Sequence, residues 1–247
     1  MSEIKIGDIF ETNKGGSITV IGYTNTKNIT VKFNDNYGHK VNTRKDTILA
    51  GSIINPYFPS FNGYGYIGVG KYITECNRKK TKEYTIWFSM IRRCYNKNFH
   101  IKNPTYKDCS VCDEWLNFQN FAKWYTEHEY YDTNYQLDKD ILYSGNKIYS
   151  PETCVLIPSQ INSLFNDCGT KRGLLPIGVA TRDNRYTASI SFDGKRKKIG
   201  YFDTIEEASN AYNKAKLKNV KRMAIKYKDA IEYKVYETLM NWTPYNE

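Results

Sequence analysis

The sequence contains no apolar run near the ~18 residues that a membrane-spanning helix requires. Residues 1–5 are polar and mixed in charge, and so lack the apolar core of a secretory signal. These absences predict a cytoplasmic protein with no membrane partner. In a reducing compartment, the six cysteines are expected to be thiols or metal ligands rather than disulfides.

Acidic residues are scarce relative to basic ones. The chain has 36 Lys and Arg against 26 Asp and Glu, a formal net charge of +10. Residues 171–228 alone hold 15 basic and five acidic side chains, so this one segment carries a charge equal to the whole excess. Clustered positive charge favours a polyanion partner, nucleic acid first, over a membrane or a small-molecule substrate. The alternative is a solvated, lysine-rich surface.

The N-terminal region has the pattern of short strands. The runs 17–21 and 29–33 are rich in β-branched residues, and turn-forming residues lie before and after them. Residues 1–58 therefore predict a small β-barrel of the SH3-like type. Residues 59–78 alternate glycine and tyrosine but lack the Gly-Lys-Ser/Thr ending of a phosphate-binding loop, and we interpret them as a linker.

The middle segment, residues 79–168, begins with two predicted helices. The first has an amphipathic stripe of Trp87, Met90, Ile91 and Cys94. The second has a stripe of Trp115, Phe118, Phe121, Ala122 and Tyr125. The aromatic residues of both stripes are predicted to form the core rather than a base-stacking surface.

A hairpin is predicted next, with residues 137–141 paired to 148–149 across a turn at Gly145-Asn146. Ser150 followed by Pro151 has the pattern of a helix N-terminus. Alternatively, Pro158 restarts a helix over 159–162.

Residues 171–228 contain three strand-like runs separated by the turn sequences Asp183-Asn184 and Asp193-Gly194. Thr204 is placed to cap a following helix over 206–215.

Strand periodicity predicts that this sheet has two different faces. The side facing the helix is predicted to hold Tyr186, Ala188, Ile190 and Ile199. The opposite side is predicted to hold Ser189, Ser191, Arg196 and Lys198, with Arg182 and Arg185 at the adjacent turn. A face of small polar and basic groups is suited to a DNA groove.

Several runs in this segment occur in a characteristic order: 177–179, 186–190, 198–202, 204–208 and Ala211-Tyr212. In this order they resemble the AP2 (ERF-type) DNA-binding domain. The resemblance implies a three-stranded sheet that reads the major groove, with Arg182, Arg196 and Lys198 at contact positions. Ala180, Ser189 and Ser191 stand where plant members have Arg, Glu and Arg, and Lys198 where they have Trp, so no base preference is implied.

The middle segment also contains an ordered set: Trp87, Met90, 93–95, Tyr106, 111–115, Phe118, Phe121, 137–140, 145–146, 149–154 and Asn162. This set resembles the phage-encoded HNH (His-Me finger) endonuclease family, whose homing members often carry an AP2 module. The resemblance implies a ββα-metal finger that cleaves DNA with Mg²⁺, encoded by a phage and acting in the host cytoplasm.

The general-base histidine of that family is absent, and Lys139 occupies its position, where it could serve as the base only if it is desolvated. The three histidines, His39, His100 and His128, lie outside the finger, and we interpret His100 and His128 as solvated. Asp138 and Asp140 are the candidate metal ligands, with Asn146 or Asn162 in support. The alternative is a turn-flanking acidic pair that Lys139 partly neutralises.

Cysteine spacing allows a structural zinc site. Cys109 and Cys112 form a CxxC pair, and Cys94 and Cys154 would complete four thiolate ligands. Buried thiols that bind no metal are the competing interpretation.

The sequence therefore predicts an α+β, multidomain protein: an SH3-like barrel (1–58), a linker (59–78), an HNH-like domain (79–168), an AP2-like domain (171–228) and a C-terminal tail (229–247). The predicted function is sequence-directed binding of double-stranded DNA with metal-dependent nicking or cleavage. The alternative is a nuclease-dead factor that binds DNA or a host or phage protein and regulates or inhibits a host DNA-targeting or defence enzyme.

Overall fold

A computed structural model describes residues 3–131, 133–165 and 175–244. The chain is α+β and divides into two compact units, Met1–Tyr125 and Thr126–Glu247. The division falls inside the segment predicted as one HNH-like domain. Across the described residues, no helix has the length and apolar character needed to cross a bilayer.

The first unit opens with a four-stranded antiparallel sheet. Its strands are β1 (Ile9–Glu11), β2 (Ser17–Asn25), β3 (Asn28–Phe33) and β4 (Lys40–Thr43). Alternate residues such as Val20 and Val31 are buried, and helix α1 (Lys45–Leu49) adds Ile48 to this core. The strand order β1-β2-β3-β4 is an open meander. Within residues 3–131 no closed barrel forms, so the sheet is more open than the predicted SH3-like barrel.

The predicted linker packs against the helices that follow it. Gln119 brackets the backbone of Tyr72, accepting from its N–H at 3.0 Å and donating to its carbonyl at 2.9 Å. A Cβ atom on Gly65 would lie 2.9 Å from the Trp87 ring, so only glycine fits there. The strands β5 (Glu75–Cys76) and β6 (Lys79–Lys80) then form a short hairpin.

The remaining elements of the first unit are helical apart from one short strand. They are α2 (Lys82–Tyr95), α3 (Lys97–Lys102), β7 (Ser110–Val111), α4 (Asp113–Leu116) and α5 (Phe118–Glu127). The stripe predicted for the first helix is confirmed, because Trp87, Met90, Ile91 and Cys94 are all buried in α2. The second predicted helix is broken at Asn117 into α4 and α5.

In the second unit, β8 (Gln136–Asp138) pairs with β10 (Val155–Ile157), and β9 (Ile148–Tyr149) lies between them in sequence. The predicted hairpin between 137–141 and 148–149 is therefore wrong. Ser150 begins a turn rather than a helix, since its hydroxyl accepts from the Thr153 N–H and its carbonyl accepts from the Cys154 N–H. Helix α6 (Ser159–Asn162) follows Pro158, as the alternative predicted.

The three-stranded sheet comprises β11 (Val179–Arg182), β12 (Arg185–Phe192) and β13 (Lys195–Phe202), in that order. Both predicted turns are confirmed: Asp183, Asn184, Asp193 and Gly194 all have positive φ, as two-residue hairpin turns require. Residues 171–174 of the predicted AP2-like segment, and Cys168, lie outside the described residues.

Helix α7 (Ile205–Lys226) follows the sheet and begins with a reciprocal capping box between Thr204 and Glu207. The predicted N-cap is confirmed, but the helix runs well beyond residue 215. Its N-terminal half packs Ala208 and Tyr212 against the buried face of the sheet.

The C-terminal half of α7 belongs to a different core. Helix α8 (Tyr233–Asn241) packs on it, so the part of the predicted tail that the structure describes, 229–244, is not a tail. The buried members of this core are Val155, Ile157, Ile161, Val220, Ala224, Ile231, Val235 and Leu239.

We expect Leu239→Ala to lower the free energy of unfolding by about 2–5 kcal/mol, because its side chain is 0% exposed in this core. Tyr233→Ala, on the same helix but 71% exposed, serves as the matched control and should change it by less than about 0.5 kcal/mol. Urea denaturation measures both. Equal changes in the free energy of unfolding for the two variants would show that Leu239 of α8 is not packed in a hydrophobic core.

Candidate nucleic-acid interface and carboxylate pocket

Strand register defines which side chains share the sheet surface opposite α7. Directly paired residues of antiparallel strands point to the same side. The outer face consists of Ala180, Arg182, Arg185, Thr187, Ser189, Ser191, Arg196, Lys198 and Tyr201. The predicted placement of the serines, Arg196 and Lys198 on one face is confirmed, and their role in DNA binding stays a prediction.

The prediction that Ile199 faces the helix is wrong. The register shifts between Ala188 and Ser189, whose partners are Gly200 and Lys198, so Ile199 is the extra residue of a β-bulge. Ile199 is exposed rather than packed under α7. The bulge reverses the alternation beyond it and places Tyr201 on the outer face. Gly200, an isolated glycine within a strand, was the sequence signal for this bulge.

Two cations of β13 are held over the outer face by neighbouring hydroxyls. The Arg196 Nε–H donates to Ser189 Oγ at 2.9 Å, and Lys198 Nζ donates to Tyr201 Oη at 2.8 Å. The hydrogen bond and charge of Lys198 lower the pKa of the exposed Tyr201. Both cationic groups are exposed, so their charge faces solvent along the sheet.

At the other end of the outer face, the cations lie beside carboxylates. Arg185 Nε is 2.9 Å from Asp203 Oδ1, and Arg182 Nε is 3.6 Å from Asp183 Oδ2. These pairs are solvent-exposed, so breaking them costs little. Because these carboxylates partly neutralise Arg182 and Arg185, the net positive charge of the outer face is strongest toward the β12–β13 turn.

That turn is anchored to α7 by a polar network. Both terminal nitrogens of Arg222 donate to Asp193 in the turn, at 3.3 and 3.0 Å. Arg222 Nε also donates to Asn219 Oδ1 at 3.2 Å. Asn219 is buried, and its amide donates to the Ser191 carbonyl at 3.4 Å. The position of the cationic hairpin is thus set by the helix.

The candidate catalytic residues lie around the end of β8. Asp138 Oδ1 accepts from the N–H groups of Asp140 at 2.9 Å and Ile141 at 2.7 Å. Burial outweighs these hydrogen bonds and raises the pKa of Asp138. Asp138 and Asp140 both line a pocket of about 310 Å³ whose other walls include Leu239 and Trp242.

Lys139 is buried, with 5% exposure, and acts as a hydrogen-bond donor to two oxygens. Its Nζ donates to Asp140 Oδ1 at 2.6 Å and to the Asn146 carbonyl at 2.5 Å. Lys139 is thus desolvated and is the donor in both hydrogen bonds, which gives it a structural role; its role as a general base stays a prediction.

The two candidate asparagines are also engaged. The Asn146 amide donates to the carbonyls of Lys139 at 2.8 Å and Ile148 at 2.7 Å. The Asn162 amide donates to Gln136 Oε1 at 2.7 Å, which links α6 to β8. The structure therefore groups Asp138, Lys139, Asp140 and Asn146, while the Asn162 amide is bonded to the start of β8.

The interpretation of His128 as solvated is wrong, and His100, which is half-buried, makes a specific contact as well. His128 Nε2 lies 3.1 Å from Glu232 Oε1, with only 12% of the histidine side chain exposed. Burial alone would raise the pKa of Glu232, but hydrogen bonds from His128 and Lys234 outweigh it and lower the pKa. His100 lies in α3 and its Nε2 is 2.7 Å from the Arg93 carbonyl.

The predicted zinc ligands are distributed over both units. Cys94 and Cys109 are buried and Cys112 is half-buried in the first unit, while Cys154 is buried in the second. Within the described residues, no group of three or more His, Cys, Asp or Glu side chains is arranged to hold a metal ion. The zinc site stays a prediction.

Comparisons with protein-family models, curated proteins and solved structures find no match for this chain. Function is therefore inferred from the geometry of the outer face and of the carboxylate pocket.

We expect Asp138→Ala to lower the free energy of unfolding by about 1–3 kcal/mol, because two backbone N–H groups lose their acceptor. Asp138→Asn keeps an acceptor oxygen and removes a charge that burial disfavours. Because the pKa is raised in the folded state, wild-type stability falls as the pH rises from the unfolded-state pKa of Asp138 to its folded-state pKa, and the full cost is present above the latter.

The stability of Asp138→Asn relative to wild type should therefore increase as pH rises through the acidic range and then level off. Denaturation at a series of pH values measures this. A pH-independent difference between the two proteins would contradict the raised pKa.

Proposed function

We propose that this protein binds double-stranded DNA through the outer face of β11–β13. The observation that carries the proposal is the placement of Arg182, Arg185, Arg196 and Lys198 on one side of a sheet whose other side is covered by α7. A twisted antiparallel sheet can enter the major groove, and cationic side chains on its outward side neutralise phosphates.

The contacts on this face favour DNA over a generic solvated surface. Arg196 and Lys198 are hydrogen-bonded to other outer-face side chains. Side chains already held across the surface lose less conformational entropy on binding a phosphate. The Arg222–Asp193 anchor also fixes the hairpin that carries these cations. An unspecialised lysine-rich surface needs none of these contacts.

We expect Arg196→Ala combined with Lys198→Ala to weaken DNA binding and to reduce the slope of log K against log salt. The reduction should be roughly 0.9 for each phosphate that the variant no longer neutralises, because fewer counterions are released on binding. Fluorescence anisotropy with a labelled duplex at several salt concentrations measures both effects.

The matched control is Lys214→Ala combined with Lys218→Ala, which removes the same charge from the exposed surface of α7. We expect this control to retain most of the affinity and the slope. Equal losses in the two double variants would mean that net charge, rather than the outer face, drives binding.

A second function, metal-dependent phosphodiester cleavage, is favoured by one observation: Asp138 and Asp140 open into the same pocket. Their carboxylates would hold Mg²⁺, which would supply Lewis-acid stabilisation at the scissile phosphate when bound. Lys139 already occupies one oxygen of Asp140 and is a hydrogen-bond donor there, so this function has less support than DNA binding.

The two functions are separated by incubating supercoiled plasmid with the protein and Mg²⁺ or Mn²⁺. Because Lys139 is a donor, we expect no nicking above background while the plasmid is still bound. Nicking that disappears in Asp138→Asn and Asp140→Asn variants, with their DNA affinity unchanged, would instead establish the nuclease.

A further inference from the structure

One row of the outer face differs chemically from the rest. Ala180, Thr187 and Tyr201 lie side by side on the three strands, and we call them the central row. The Thr187 hydroxyl donates to the Ala180 carbonyl at 3.1 Å, and the Tyr201 oxygen accepts from Lys198. The central row still offers a ligand two methyl groups and the Tyr201 ring, although the Lys198 ammonium lies 4.2 Å from the centre of that ring; Tyr201 as a residue is 41% exposed.

Cations flank the central row on both sides along the strands. Arg182 and Arg185 form a paired row on one side, and Lys198 and Arg196 lie on the other. At ~3.3 Å per residue, the four-residue step from Arg185 to Ser189, the partner of Lys198, spans roughly 13 Å. This matches the ~12 Å width of the major groove. Cations at both ends can therefore reach phosphates on both sides of the groove while the central row lies over base edges.

We propose that the central row reads thymine, through contact with its C5-methyl group. This inference rests on the proposed DNA binding and adds a base preference to it. Thymine is the base that presents a methyl group in the major groove, and threonine methyls, alanine and aromatic rings are the side-chain groups that contact it. Guanine and cytosine present polar edges there, and a carbon surface would desolvate those edges without returning a hydrogen bond.

Chemically modified duplexes test the inference with the wild-type protein. Replacing deoxythymidine by deoxyuridine removes the methyl group and leaves the base pair and the minor groove unchanged. We expect binding of an A·T-containing duplex to weaken about fourfold for each methyl group that the central row can no longer touch. Replacing cytosine by 5-methylcytosine in a G·C duplex adds a methyl group in the same groove and should tighten binding.

A protein variant identifies the reading residue. Thr187→Ser keeps the hydroxyl that bonds the Ala180 carbonyl and removes only the methyl group. We expect Thr187→Ser to reduce the difference between thymine and uracil duplexes, which a double-mutant cycle of protein and DNA measures. Arg196→Ala is the control. Loss of a phosphate contact should weaken the binding of the thymine and uracil duplexes equally.

The outcomes separate the two proposals. Equal affinity for thymine and uracil duplexes, with binding intact, overturns the thymine preference and leaves DNA binding standing. Failure to bind any duplex overturns both. If Thr187→Ser does not fold, as judged by circular dichroism, the comparison of modified duplexes with the wild-type protein still decides.

Discussion

The organisation of the second unit depends on one helix that is shared by two cores. A three-stranded sheet is stable only if one face is covered, and the N-terminal half of α7 covers it with Ala208 and Tyr212. The C-terminal half of α7 packs Val220 and Ala224 against β10 and α8. The sheet is therefore fixed to a larger core by continuous helical backbone, and only its polar, cationic side is left to face outward. Rigid presentation of that side is what a groove-binding surface needs.

In the segment from Asp138 to Asn146, the atoms that a metal-dependent reaction would need already make hydrogen bonds that hold the fold. A buried ammonium is costly unless acceptors surround it, and Lys139 obtains them from Asp140 and the Asn146 carbonyl. Asp138 orders the backbone of the two residues beyond Lys139. A metal ion would have to share the Asp140 carboxylate with Lys139, and these hydrogen bonds are already a sufficient reason for the residues to be where they are without a reaction.

Sequence reasoning succeeded where the determinants are local. The turns at Asp183-Asn184 and Asp193-Gly194 and the cap at Thr204 are decided by neighbouring residues, and all three are confirmed. It was wrong where distant residues decide. The partner of β8 is β10, which lies further along the chain than the predicted hairpin partner. At the end of α7, lysines surround the buried Val220 and Met223 in the sequence, so the apolar face of the helix was not recognised there. The function of the outer face stays a proposal because side-chain placement does not identify a ligand.

The residues of the outer face that differ from those of AP2 domains are compatible with one another. Small residues on β12, Ser189 and Ser191, leave room for the long side chains of β13 to lie across them, and Arg196 does so by bonding Ser189. A long arginine at position 191, the direct cross-strand partner of Arg196, would occupy that space and repel it. The charged residues flank the central row, although the Lys198 ammonium lies 4.2 Å from the centre of the Tyr201 ring. Under the proposed function, backbone affinity and base discrimination would be divided between different rows of this face.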